Sequence, residues 1–296
     1  MMIVGRRSLP VHTWAGLAIL AAIEIGVALR QPLAATWLTP AAWTAYILIV
    51  DGLVARASGR SWLTTRRREF PFLVLASIGV WLLFEAYNLH LRNWFYTGLP
   101  ESSWLRDFGY GWSFATILPG VFETTDLVAV MVGRPMEWDA RGEAMSAPLR
   151  RAIWVLGGLA LVLIPVALPP DVARYLFGAV WLGFFFLIDP INEQLGAPSL
   201  ARSWRLGRRW PLWSLLLAGG ICGLLWETWN FQAFGAGGAH WVYTVPDELR
   251  IFGLHYGKMP LLGLLGFPPF ALELFALYTV LKSVLGMEQW IGKNRP

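Results

Sequence analysis

Eight apolar windows recur along the chain, at residues 13–29, 34–54, 70–91, 112–133, 151–168, 175–191, 210–231 and 260–286. Each is close to the roughly 20 residues that a helix needs to cross a hydrocarbon core of about 30 Å. Lipid offers no partner to backbone N–H and C=O groups, so a spanning segment of this kind must satisfy them within itself, as a helix does. Composition agrees: 56% of the 296 residues are hydrophobic and only 15% are charged, with a mean hydropathy of +0.51. These values exclude an ordinary soluble domain of this length and predict an all-α integral membrane protein with eight transmembrane helices.

The basic residues give an independent check, because cytoplasmic loops retain Lys and Arg. With eight spans, 18 of the 24 Lys and Arg residues fall on one side. They lie in the N-terminus (Arg6, Arg7), the loop with Arg56 to Arg68, the loop with Arg134 to Arg151, the loop with Arg202 to Arg209, and the C-terminus (Lys282, Lys293, Arg295). Arg30, Arg92, Arg106, Arg174, Arg250 and Lys258 occupy the other side. Both termini are therefore expected in the cytoplasm, and the chain in the bacterial cytoplasmic (inner) membrane. The net charge of +5 is a topology signal and calls for no nucleic acid; the expected surroundings are the lipid bilayer, with an attraction for anionic head groups. The single cysteine, Cys222, rules out an internal disulfide. No small-residue cleavage site follows Arg6 and Arg7, so the first apolar run is expected to be a retained helix.

Walking outward from two glutamates exposes a tandem repeat. "LLFEAYNL" around Glu85 faces "LLWETWNF" around Glu227, with Asn88 and Asn230 each three residues on. Upstream, Asp51 faces Asp189; downstream, Trp94 and Tyr96 face Trp241 and Tyr243, and Pro119 with Glu123 faces Pro269 with Glu273. Offsets of 138, 142, 147 and 150 along these pairs leave helix spacings intact and put insertions in loops. The expected organisation is two four-helix repeats, residues 1–149 and 150–296, of the same topology and related by an axis along the membrane normal.

A charge at a helix centre costs roughly 2.5–3.5 kcal/mol on insertion scales, yet no Lys or Arg lies in the interiors of the windows that hold Glu85, Glu123, Glu227 and Glu273, Lys282 falling at the end of the last one. Burial disfavours the charged form of a carboxyl, so at least one glutamate per half is expected to hold a proton near neutral pH. All four are candidate acid/base groups, placed in the outer half of the membrane, with Glu85 expected beside Glu123 and Glu227 beside Glu273. Asn88, Asn230, Trp94, Tyr96, Trp226, Trp229, Trp241 and Tyr243 are the candidate substrate-binding residues around them. The same polar set equally suits a hydrogen-bonded network that fastens helices. Asp51 and Asp189, next to Arg-rich loops, are expected to form interfacial ion pairs. Glu24 and Asp126 have no counterpart in the other half. Glu-x-x-His, His-x-x-x-His, cysteine clusters and glycine-rich phosphate loops are all missing from the sequence, so no metal site is expected and no cofactor is indicated. The Gly-x-x-x-Gly of "GGICG", residues 219–223, reads as close helix packing.

The strings "DPINEQLGAPSL", "GLLWETWNF", "HWVYTVP" and "PLLGLLGFPPFALELFALY" resemble a family of bacterial polytopic membrane proteins of unassigned activity. The order of Asp51 or Asp189 at a helix end, then Trp-x-Tyr, then Pro119 or Pro269 followed by Glu123 or Glu273, distantly resembles the tandem lycopene cyclase domain. That resemblance implies acid-initiated cyclisation of a linear carotenoid within the bilayer. The Pro-x-Glu-Glu motif usual in that family is replaced here by a four-residue step to a single acid. Three readings stay open. One is an enzyme using a protonated glutamate as acid and its neighbour as base on a lipophilic, isoprenoid-like substrate, with aromatic faces sheltering a cation. Another is a non-catalytic subunit of a larger membrane complex that binds protein, pigment or lipid. The third is a proton-linked transporter.

Overall fold

The computed structural model describes residues 8–134 and 148–287. Arg6, Arg7, Arg141, Lys293 and Arg295, which enter the charge count above, lie outside the described residues, as do both chain ends. In chain order the elements are α1 (Val11–Ala28), α2 (Pro32–Ser58), α3 (Phe70–Leu91), β1 (Trp94–Thr97), α4 (Ser103–Ala115), α5 (Ile117–Val132), α6 (Pro148–Ala167) and α7 (Pro170–Ala173). They continue with α8 (Phe177–Gln194), α9 (Leu200–Arg205), α10 (Trp210–Gly235), β2 (His240–Tyr243), β3 (His255–Tyr256), β4 (Met259–Pro260) and α11 (Leu261–Val284). The short strands pair as β1 with β2 and β3 with β4, and the fold is otherwise helical.

Among the described residues, seven segments are long and apolar enough to cross a membrane: α1, α2, α3, the run Ser103–Val132, α6, α10 and α11. The eighth expected window is a helix too, α8, but its last turns carry Asp189, Asn192, Glu193 and Gln194, and these polar residues take it out of that set. The fourth window, expected at 112–133, starts earlier and is broken: α4 ends at Ala115 and α5 begins at Ile117. Pro119 explains the break, since its ring clashes with the carbonyl four residues before it, that of Ala115, and it has no N–H to offer that group. Elsewhere the ends follow local chemistry. Pro32 opens α2 at a position where the missing N–H costs nothing, and Gly59, with φ of 77°, closes it in the left-handed conformation that glycine adopts freely.

The described chain divides into two compact units that do not follow the sequence halves. The first comprises α1, α2, α3 as far as Gly79, residues 95–97 of β1, α4, α5 and the segment Leu224–Val242. In it, α1 and α5 both pack on α2. The second comprises Val80–Trp94, α6 to α9, α10 as far as Gly223, and the chain from Tyr243 onward. In it, α6 and α11 both pack on α8. The C-terminal part of α3 thus belongs to the second unit and the C-terminal part of α10 to the first, a reciprocal exchange between the two helices.

The α6–α8 pair is close. A Cβ on Gly158 would lie 2.4 Å from the backbone N of Leu187 and 2.8 Å from the carbonyl O of Gly183. Gly16, aligned with Gly158 in the repeat, stands in the same relation to α2, where an added Cβ would meet the carbonyl O of Ala45 at 2.8 Å. Small residues allow such backbone approach, which drives helix association in lipid where burial alone does not. The Gly-x-x-x-Gly of α10 also packs closely: a Cβ on Gly219 would be 2.4 Å from the carbonyl O of Phe267.

Candidate functional site

Each unit holds one acid from each sequence half. Glu123 and Glu227 lie in the first, Glu85 and Glu273 in the second. Glu85 and Glu123, expected together from chain order, fall in different units, as do Glu227 and Glu273. The cause is the exchange of α3 and α10: the turn that carries each glutamate–asparagine pair falls in the exchanged part of its helix.

The two asparagines do the same job twice. In the second unit, Asn88 Oδ1 accepts from the backbone N–H of Asn93 at 2.8 Å and of Trp94 at 3.2 Å, while its Nδ2 donates to the carbonyl of Trp94 at 2.9 Å. In the first, Asn230 Oδ1 accepts from Trp241 N–H at 2.9 Å, and its Nδ2 donates to the Trp241 carbonyl at 3.1 Å and to Glu227 Oε2 at 3.3 Å. A primary amide matches one donor and one acceptor of a single residue, so each asparagine clamps the chain at the tryptophan of the Trp-x-Tyr motif. Both are buried. Their chemistry is taken up by backbone, so they fasten the strand to the helix instead of presenting an open amide to a ligand.

Glu85 is likewise engaged by its surroundings. Its Oε1 accepts from the indole N–H of Trp81 at 2.8 Å and of Trp94 at 3.1 Å, and these two rings stack at 5.8 Å. Phe84 and Phe270 close over the same region with ring centres 5.2 Å apart. Glu273, fully buried, accepts from the backbone N–H of Phe184 at 2.7 Å through Oε1. In the first unit, Trp226 and Trp229 meet Trp43 edge to face at 5.9 and 5.1 Å, and Trp226 lies 5.4 Å from Trp241. Tyr96 sits edge-on to Tyr110 at 5.2 Å, and Tyr243 is half-buried at the end of β2.

The aspartates also depart from expectation. Asp51 and Asp189 are fully buried and are held by loop backbone and hydroxyls instead of by loop arginines. Asp189 accepts from Ser199 Oγ at 2.8 Å, Leu200 N–H at 2.8 Å and Ala201 N–H at 3.0 Å. Asp51 accepts from Ser61 Oγ and Leu63 N–H, both at 2.8 Å. The serine stands ten residues after the aspartate in both halves, so each aspartate ties the returning loop to its own helix.

Asp51 has two further neighbours that Asp189 lacks. His12 Nε2, on α1, lies 2.8 Å from Asp51 Oδ2. Glu123, on α5, is close enough for its charge to act on that of Asp51. Glu123 is fully buried, and no N–H or O–H donor among the described residues reaches either of its oxygens. Asp126, one turn on, accepts from Trp62 Nε1 at 3.1 Å, and the Arg66 guanidinium covers the Trp62 ring at 3.3 Å. Among the described residues no group of three or more His, Cys, Asp or Glu side chains is arranged to hold a metal ion.

His12 and Trp43 escaped the sequence reading. Trp43 precedes Asp51 by eight residues as Trp181 precedes Asp189, so the repeat alignment contained that signal. His12 carried none, since its partner becomes apparent only once α1 packs on α2.

The apolar helices define a multi-pass helical membrane protein. No family model, curated protein or solved structure matches the chain.

Proposed function

We propose that the chain is a multi-pass protein of the bacterial cytoplasmic membrane, built of two parallel four-helix repeats with both termini in the cytoplasm, whose first unit performs acid/base chemistry on a lipophilic, isoprenoid-like substrate. The observation that carries this reading is Glu123. A carboxyl that only fastened helices would be met by donors, as those of Glu85, Asp51 and Asp189 are met; Glu123 has none among the described residues and has the acid Asp51 in its surroundings. Two buried acids near one another favour one protonated and one ionised carboxyl, the division by which one serves as acid and the other as base. Trp43, Trp226, Trp229 and Trp241 supply the first unit with aromatic faces of the kind that shelter a developing cation.

The topology has its own test. Reporter fusions at Arg67 and Arg205 are expected to read cytoplasmic, and fusions at Glu101 and Asp247 periplasmic; an inverted pair would remove the eight-span arrangement. For the chemistry, lipid extracts of cells that carry the wild type or Glu123→Gln at matched expression are compared by mass spectrometry. Glu123→Gln is expected to lower a polyprenoid-derived product by about a hundredfold or more, because an amide of equal size transfers no proton. Indistinguishable extracts would sink the enzymatic reading.

The asparagine clamps and the Trp-bound Glu85 favour a second reading, a non-catalytic subunit whose polar network serves only the fold. A stoichiometric protein partner retained on native purification, with Glu123→Gln without effect, would support it.

A further inference from the structure

We infer that the corner between α9 and α10 binds an anionic phospholipid, with its phosphate on Arg208 and Arg209 and an acyl chain along α10. The corner is built by backbone. Gly207, with φ of 79°, turns the chain back at the end of α9. The N–H groups of Gly207 and Arg208 donate to the carbonyls of Trp204 at 3.0 Å and Ser203 at 2.9 Å, the two bonds of a Schellman ending. The turn lays Arg209 against α9, its guanidinium 4.9 Å from the centre of the Trp204 ring. Both arginines are exposed, and the spanning helix α10 begins at the next residue, Trp210.

Charge and shape together select the occupant. No Asp or Glu occurs between Glu193 and Glu227, and Glu193 is already paired with Arg205. Arg209 pairs with no carboxylate among the described residues. A guanidinium whose face rests on an indole still presents its planar fork of N–H donors, which matches a phosphate. Inward from Arg209, at steps of four along α10, stand Trp213, Leu217 and Ile221, which are 49, 50 and 40% exposed. From Arg209 to Ile221 this row is about 18 Å long at 1.5 Å per residue, enough to cover one leaflet of a hydrocarbon core about 30 Å thick. Free phosphate would use the arginines alone; the apolar row that continues from them is matched by the chain of a lipid.

The site is independent of the acid/base reading, since α9 and α10 as far as Gly223 belong to the second unit and Glu123 to the first. Full-length protein in a non-ionic detergent is titrated with palmitoyl-oleoyl phosphatidylglycerol or phosphatidylcholine, and bound lipid is counted by native mass spectrometry. Phosphatidylglycerol is expected to bind about tenfold or more tightly than phosphatidylcholine. Arg208→Gln combined with Arg209→Gln is expected to weaken phosphatidylglycerol by about tenfold or more. Arg67→Gln, at an exposed arginine bonded to the Thr64 carbonyl of its own loop, leaves the binding as it was. Should the double variant fold poorly, Leu217→Asn tests the apolar row, with a weaker hold on phosphatidylglycerol again expected. Equal affinity for the two lipids, equal loss in the Arg67 and double variants, or unchanged binding in Leu217→Asn would overturn the inference. Glycerophosphoglycerol, the same head group without chains, separates the two sources of phosphate. It is expected not to displace the lipid at equal concentration; displacement as strong as that by whole lipid would mark a site for soluble phosphate and remove the lipid as occupant.

Discussion

Exchanging Gly158 for valine is expected to leave no correctly folded protein in the membrane. A single Cβ already falls 2.4 Å from a backbone nitrogen of α8, and backbone cannot rotate aside as the end of a side chain can. Overpacking of flexible neighbours costs about 1–3 kcal/mol. Here the two helices must separate, and α8 also supplies the surface on which α11 packs, so the loss should exceed that range. Size-exclusion profiles and thermal aggregation in mild detergent report it directly. Gly157→Val makes the control, because a Cβ there meets nothing within 4 Å. Equal behaviour of the two variants would show that the close approach of α6 and α8 is wrong.

The second large effect is expected at Asp189. Alanine at this position leaves the Ser199 hydroxyl and the Leu200 and Ala201 N–H groups without their acceptor in a site with no access to water. Each buried donor stranded in this way costs roughly 1–3 kcal/mol, which sums to about 3–9 kcal/mol, comparable with the whole stability of many domains. Asp189→Ala should therefore fall far below wild type in folded yield and unfolding temperature. Trypsin should cut at Arg202, Arg205, Arg208 and Arg209, in and just beyond α9, faster than in wild type. An unfolding temperature within a degree or two of wild type would mean that the loop is anchored by something else.

Much of the helical layout could be read from the sequence because the hydrocarbon core imposes it. The 70–91 window coincides with α3, and others differ only by a few residues at their ends. Where the sequence reading failed, the cause was a longer-range contact. The break between α4 and α5 was legible in Pro119 but was masked by the continuous apolarity of the segment. The partners of Asp51 were misassigned because proximity to Arg66, Arg67 and Arg68 in the chain suggests ion pairs, whereas a buried carboxylate within reach of free loop N–H groups and a serine hydroxyl takes those. The distribution of the glutamates between the units has another reason. Spacing within a repeat specifies which residues are equivalent; it does not specify which copy's residue completes which packed unit. His12 shows the limit most plainly, since nothing about a histidine at the start of an apolar helix announces that it will lie 2.8 Å from an aspartate 39 positions later.

The exchange of α3 and α10 also sets an order of assembly. Chains leave the ribosome from the N-terminus at about 5–20 residues per second, so α1, α2, α4 and α5 enter the membrane well before Leu224–Val242 exists. For on the order of ten seconds the nascent first unit lacks Trp226, Trp229 and Trp241, and the Trp43 ring is without the indoles it meets in the finished protein. The half-made protein therefore waits in the bilayer with an aromatic surface bare, and the insertion machinery or a lipid has to cover it. Neither unit can be completed before α10 is made, so the two should reach their final form almost together, late in synthesis.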